Sequence, residues 1–516
     1  MKRSGLHTLA ALFVVLASIS FFHPYPYDNV VTRWALARRL VDDASINIDP
    51  YARHTNDKAF RDGHYYCDKA VLLSLAAAAP YGLTRVISGV TGRSVPDPVA
   101  RYLAERLLET GSLLLLLLFL HRNLSEKKLP TAIPVTALGT GSILLPYSTL
   151  LYGHVPAAML LFLCYHFQER KRYLLSDISG ALAVAVEFPV FVPFAVILAY
   201  RGRKYWTPAR LFRATATLAA TLLPQFLYNA RAFGSPSAMG YSMEAEDAFG
   251  GMKSGFFGFT LPSPRSLYLL TLSPERGLFF YMPWTLPGLA GFFAGGKPRE
   301  VLRRNPLPAA VILYVLLFSA YYMPDGGWAY GPRHLIPVIP FLAVGLGGFV
   351  AGDGKRTFIA AAAMFPAMLL ALLGAAGEIH QPVFPPDGPL PLPQVKIGLE
   401  MMMRGHHSLW LPGTAGVLLL LLALPVMLFR VARNSKFSWA GILLLSAWAA
   451  VGWLSMKRDM GGIVDYYRGI LAQHREEWNL AEDYYERALE DPNAPPVVRE
   501  RLRFCRGMSD GMGEGP

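Results

Sequence analysis

Between residues 28 and 69 the chain concentrates groups that can move protons or hold anions: Asp28, Arg33, Asp49, Asp57, Lys58, Asp62, His64, Asp68 and Lys69. A carboxylate such as Asp28 can take a proton from a hydroxyl. A lysine or arginine beside it can stabilise a phosphate leaving group. The plain alternative is a solvated loop kept wet by its charges, and it applies to Asp49 and Asp62 before it applies to Asp28, which follows directly on an apolar segment. Further along, His154 and Glu187 stand at predicted helix ends, where each either orients a substrate or caps structure. Trp328, Tyr321 and Tyr322 are of the types that form an interfacial aromatic belt. Asp57, Asp62, His64 and Asp68 crowd enough to attract a divalent cation, yet no spacing dictates a geometry, so no metal or other cofactor is expected.

The elements that must position these groups are membrane helices. Of 516 residues 53% are hydrophobic and only 16% charged, too little charge to wet a soluble surface of this size. Apolar runs repeatedly approach the roughly 20 residues that cross a bilayer, and backbone in lipid must satisfy itself, which means helices. The net charge of +13 falls mostly in short loops, as the positive-inside rule expects, so nucleic acid is not a partner. Cys67, Cys164 and Cys505 are too scattered for a disulfide framework or a metal site.

The same rule orders the spans. The apolar run after Met1-Lys2-Arg3, about 7–23, reads as an uncleaved first span with its N-terminus in the cytoplasm. The stretch 71–90, interrupted by Pro80, reads as a helix in the outer interface, because a crossing there would strand Lys127 and Lys128 outside. Spans follow at about 101–121, 131–149 and 154–168. The stretch 177–200 divides into two short helices with an outer tip near Glu187-Phe188-Pro189, and 211–229 follows. After an outer loop at 230–276, the remaining spans are about 277–296, 306–323, 334–351, 356–376, 409–430 and 437–455. The expectation is an all-α polytopic protein of the inner membrane with about 13 crossings and its C-terminus outside. Residues 1–455 form the membrane domain, 24–100 its first outer loop with interfacial helices, and 456–516 a helical tail.

With these pieces in place a resemblance emerges. Tyr27-Asp28-Asn29-x-x-Thr32-Arg33 just after span one, and Gly63-His64-Tyr65-Tyr66-Cys67-Asp68-Lys69-Ala70 before the interfacial helix, resemble the GT-C superfamily of membrane glycosyltransferases. So do Tyr147 to His154, Val186-Glu187-Phe188-Pro189, and Tyr228-Asn229 with Phe233-Gly234-Ser235-Pro236. Ser273-Pro274-Glu275-Arg276-Gly277, Gly326-Gly327-Trp328 and Gly331-Pro332-Arg333-His334 complete the set. The set is similar to a family 39-like branch, of the aminoarabinose transferase and protein O-mannosyltransferase type, over about residues 7–350. Ala70-Val71 stands where the family has prolines, a departure that bears on Lys69. The resemblance implies inverting transfer of a sugar from a polyprenyl-phosphate donor to a lipid, glycan or protein acceptor at the outer face. Asp28 would be the base, Arg33, Lys69, Arg276 and Arg333 would serve the donor phosphate, and Asp57, His64, Asp68, His154, Glu187 and Trp328 would support them.

Two other readings compete. A transporter or flippase for a lipid-linked glycan would carry internal repeats and mid-membrane ionisable groups; this chain has no clear repeat, and its polar clusters lie at outer ends and loops. A scaffold would work through the tail, where Gly469, Ala481, Tyr485 and Ala488 fall near the packing positions of one tetratricopeptide repeat. A single repeat cannot bury its apolar face alone, so the tail is expected to dock on the membrane domain or a protein partner, unless it is only an amphipathic helix pair.

Overall fold

The computed structural model describes residues 5–23, 28–202, 205–245, 251–252, 254–327, 329–377, 438–456, 462–474, 477–490 and 497–509. The expected span at 409–430 and Trp328 lie outside them. An apolar helix α1 (Gly5–Ser20) leads to α2 (Asp28–Asp42), which Asp28 opens, where a negative charge suits the helix dipole. The strands β1 (Ala59–Arg61) and β2 (His64–Tyr66) pair as a hairpin with Phe60 opposite Tyr65. Its two-residue loop is Asp62-Gly63, both at positive φ (50° and 84°), the turn whose twist matches that of paired strands. Residues 243–245 extend this hairpin: Phe60 N donates to Met243 O at 2.9 Å and Ala245 N to Lys58 O at 3.0 Å.

At the stretch expected to lie in the interface stands α3 (Leu72–Thr91). It buries Leu73, Ala77, Tyr81 and Thr84 and exposes Leu83, Val86, Ile87 and Val90. The exposed set recurs at helical spacing, so a second apolar face is left uncovered by the described residues. Next, α4 (Asp97–Glu105) and α5 (Gly111–Glu126) run on as one helix through a π-helical turn at Arg106–Thr110. Short helices α6 (Ala132–Thr140) and α7 (Leu144–Tyr147) are broken from each other and from α8 (His154–Glu169), which packs along α9 (Tyr173–Val186). The chain breaks at Glu187 and resumes as α10 (Phe191–Ala199), the division expected of 177–200. Then come α11 (Pro208–Phe233), α12 (Pro264–Thr271), α13 (Leu278–Tyr281), α14 (Thr285–Phe292), α15 (Pro298–Arg304), α16 (Pro306–Ser319), α17 (Ile339–Val350) and α18 (Gly354–Ala376). Gly291 of α14 lies where a Cβ would collide with Gly345 of α17, so glycine lets these two backbones touch.

One apolar core unites these helices, from Phe13 to Ala376. Continuing past it, α19 (Trp439–Met456) rests on it, Trp448 Nε1 donating to Phe280 O at 2.7 Å. The tail helices α20 (Ile463–His474), α21 (Trp478–Leu489) and α22 (Val497–Ser509) close around their own core of Ile470, Ala481, Tyr485, Ala488, Val498 and Cys505. Gly469 lies directly against the Tyr485 ring.

The expected count of about 13 crossings is not carried by helix length. Among the described residues two helices are long and apolar enough to cross a membrane, Arg333–Val350 and Gly354–Ala376. A third is added if the pair Pro298–Arg304 and Pro306–Ser319, bent by 93°, counts as one span. The reason is local: breaks at 141–143 and 282–284 cut the expected spans 131–149 and 277–296 into shorter helices.

Candidate active site

Two walls of polar side chains meet at the ends of α8, α9 and α2. The first is built on the polar segment 28–69. Asp28 accepts from Asn56 N at 2.7 Å and from Asn56 Nδ2 at 3.4 Å, while Thr55 Oγ1 donates to its backbone oxygen at 3.0 Å. These bonds tie the start of α2 to the loop before β1. Desolvation, reinforced by the Asp57 carboxylate, pushes Asp28 up to about 6, against the pull of the Asn56 donors and Lys69. Asp57 is buried and pairs with Lys69 Nζ at 3.3 Å; Lys69 also pairs with Asp68 Oδ2 and lies over the Tyr241 ring. Burial works against charge on Lys69, but Asp57, Asp68 and Glu244 outweigh it and hold the ammonium well above the ordinary lysine range.

Glu244 reaches this cluster because residues 243–245 lie along β1. Desolvation and the Asp68 carboxylate push Glu244 up to about 10, and burial likewise raises Asp68 against the pull of Lys69. Asp68 Oδ1 and both Glu244 oxygens have no donor. Two facing carboxyls are in that position until one of them carries a proton between them.

The second wall belongs to the helix ends. Arg33, buried on α2, pairs with Glu187 Oε1 at 3.4 Å and donates to Asn29 O at 3.3 Å and to the Asn29 side chain. His154 Nδ1 lies 3.5 Å from the same Glu187 oxygen. Glu187 comes this close because Gly153, at φ 87°, precedes α8; a Cβ there would stand 3.0 Å from Glu187 Oε1. The 148–153 break is itself held by the π-helical turn: Glu109 Oε1 accepts from Gly153 N at 3.0 Å, and Arg106 donates to Thr149 O at 2.8 Å. Opposite stands Arg333. Its guanidinium lies 5.4 Å from the Tyr152 ring centroid, its Nε has no hydrogen-bond partner, and it forms no ion pair among the described residues. His334 beside it stacks on Phe318 at 4.4 Å and faces His154 at 6.3 Å. Asp57 joins the two walls, lying within electrostatic reach of Asp28, Tyr152 and Arg333.

The structure therefore brings together Asp28, Arg33, Asp57, Asp68, Lys69, His154, Glu187 and Arg333. His64 is elsewhere: exposed on the hairpin, it faces Asp49 Oδ2 at 2.7 Å. Arg276 is fully buried, donating to Ala329 O and, at 2.8 Å, to Gly327 O, so it braces the loop that leads to Arg333. Sequence reasoning missed Glu244, Tyr241, Tyr152 and His334 as members of the cluster. Tyr152 and His334 lay inside quoted motifs, whereas Glu244 had no local signal. Among the described residues no group of three His, Cys, Asp or Glu is arranged to hold a metal ion.

No protein-family model matches the chain, and no curated protein does. Among solved structures the chain is similar to ArnT from Cupriavidus metallidurans in the apo state, at 15% identity and a TM-score of 0.47, over 87% of this chain and 75% of that one. It is also similar to the same protein bound to undecaprenyl phosphate, at 12% identity and a TM-score of 0.42, over 90% and 80% of the two chains.

Proposed function

We propose that the chain is an inverting, GT-C-type membrane glycosyltransferase that moves a sugar from a polyprenyl-phosphate donor to a hydroxyl of a lipid, glycan or protein acceptor. The observation that carries this reading is the grouping, in one cluster, of a carboxylate pushed up to about 6 with an arginine that forms no ion pair among the described residues. An acceptor hydroxyl attacks the anomeric carbon while Asp28 takes its proton. The bond from that carbon to the phosphate oxygen breaks, and its electron pair leaves on the phosphate, whose growing charge Arg333 receives. Arg33 and His154 hold Glu187 in place at the sugar side. The grouping of Tyr27 to Arg33, Gly63 to Ala70 and Gly331 to His334 into one cluster supports the same reading, as their resemblance to that superfamily implies.

The end of the bundle also fits. Glu187 and His154 lie at one end of α8 and α9, while Glu169-Arg170-Lys171-Arg172 lies at the other, about 21 Å along α9. By the positive-inside rule this arrangement supports a site at the outer face. The apolar stripe of α3 suits the interface beside it, where a lipid-linked donor arrives.

The test is turnover of radiolabelled polyprenyl-phosphate sugars by purified protein in liposomes, scored as released polyprenyl phosphate. Wild type should turn over one donor class. Asp28→Asn, folded normally, should lose about 100- to 10,000-fold, the range for removing a general base. Equal rates for the two proteins would remove Asp28 from the chemistry. A transporter would instead move an intact donor across the bilayer without releasing the phosphate.

A further inference from the structure

At the end of the molecule opposite the candidate site, α15 leaves the bundle. Tyr200, just beyond α10, donates its hydroxyl to Leu302 O. The neighbouring Arg201 pairs with Asp177 of α9 at 2.6 Å and lies over the rings of Tyr173, Tyr205 and Trp206. These contacts set α15 beside the starts of α9 and α11. It meets α16 at 93°, the chain turning at Asn305, whose side chain accepts from Leu307 N at 3.0 Å and so caps α16 ahead of Pro306.

No residue of α15 is buried. Its charged residues are Arg299, Glu300, Arg303 and Arg304, with Lys297 just ahead, and its arginines form no ion pair among the described residues. Nearby acids do not answer them: Asp177 is taken by Arg201 and by Arg213 at 3.1 Å. Apolar side chains stand exposed at the same level, Leu302 on α15 itself, and Leu211 and Phe212 between Arg210 and Arg213 on α11. Phe212 is 74% exposed. A helix this charged cannot sit in hydrocarbon, whereas α16 is apolar throughout. The right angle between them therefore lays α15 along a boundary where arginines meet phosphates and leucines meet acyl chains.

We propose that α15, with Lys297 and the start of α11, is a docking surface for anionic phospholipid headgroups, the helix lying flat in the headgroup layer. This rests on the geometry of α15 and not on the transferase reading. The test is native mass spectrometry of the full chain released from nanodiscs of mixed phosphatidylcholine and phosphatidylglycerol. Wild type should retain phosphatidylglycerol in preference, and each of Arg299→Gln, Arg303→Gln and Arg304→Gln should lower the preference about fivefold. Lys355→Gln with Arg356→Gln, at another basic turn, should leave it unchanged. Equal retention by wild type and the α15 variants, or equal loss at both turns, would overturn the proposal. Should the arginine variants fail to fold, Glu300→Lys tests the same surface by addition: it should raise the preference about fivefold, and no change would likewise overturn it.

Discussion

The two walls of the candidate site carry similar residue types in opposite electrostatic states. On the wall built from residues 28–69, Lys69 is enclosed by Asp57, Asp68 and Glu244. Across from it, Arg333 meets an aromatic face and no carboxylate contact. The first cation is already neutralised, so an incoming phosphate would have to displace acids to reach it. The second feels Asp57 and Glu187 only at a distance and makes no ion pair among the described residues, so much of its charge is left for a ligand to answer. A cation in a cleft is therefore not by that fact an anion site; what decides is which acids have reached it first.

That contrast is breakable by substitution. Lys69→Gln leaves buried carboxylates without their counter-charge and should destabilise the protein by about 3–5 kcal/mol, read as a lower thermal midpoint in detergent. Arg333→Gln removes a charge that forms no ion pair among the described residues, so its midpoint should stay near wild type while kcat/KM for the donor falls about 10- to 100-fold. If Arg333→Gln unfolds as readily as Lys69→Gln and the surviving protein turns over normally, the two walls are alike and both cations are structural.

The pH profile sharpens the comparison from the side of the acids. Asp28 is pushed up to about 6 by burial and Asp57, and only its ionised form accepts a proton. Turnover should therefore be flat above pH 6 and fall about tenfold for each unit below it. The residual activity of Asp28→Asn should show no such limb. A wild-type limb near pH 4 would mean that Asp28 titrates as an ordinary solvated carboxyl and that the wall does not desolvate it.

How much of this was legible in the sequence follows from how local each feature is. The break at Glu187 was legible because a basic run on the far side of 177–200 had to be kept on one face, and Pro189 marks the turn. Leu72–Thr91 was legible as one helix, its apolar run continuing through Pro80. Asp28 and Lys69 declared themselves by type. The neutralisation of Lys69 did not, because Glu244 arrives from more than 170 residues away through a hairpin edge that leaves no periodic signal. Arg276 misled for the converse reason: its two carbonyl acceptors lie on the 327–329 loop, and nothing near residue 276 announces them. The breaks inside the expected spans 131–149 and 277–296 were not legible, because composition does not register the turns at 141–143 and 282–284, whose backbone groups find partners within the bundle. Glu109 and Arg106 show the same device at the 148–153 connector: a π-helical turn aims them at its backbone, and apolar spacing carries no trace of it.

The smallest expected effect tests the quietest part of the first wall. At neutral pH Glu244 holds a proton, being pushed up to about 10 by burial and Asp68. Glu244→Gln keeps the shape and the neutral charge, so below about pH 4.5, where the unfolded carboxyl is protonated too, its stability should match wild type to within about 0.5 kcal/mol. The difference should appear only on titration. A carboxyl whose folded pKa is raised stabilises the fold fully below its unfolded value and loses that contribution as pH rises towards the folded value. Wild type should therefore lose stability steadily from about pH 4.5 towards 10, by no more than about 1.4 kcal/mol per unit, and Glu244→Gln should lose less over the same window. Identical slopes would show that Glu244 is ionised at neutral pH. Lys69 would then carry more negative charge than it can neutralise, and the wall now read as closed to phosphate would be closed more firmly still, leaving Arg333 as the cation that an anionic donor can approach.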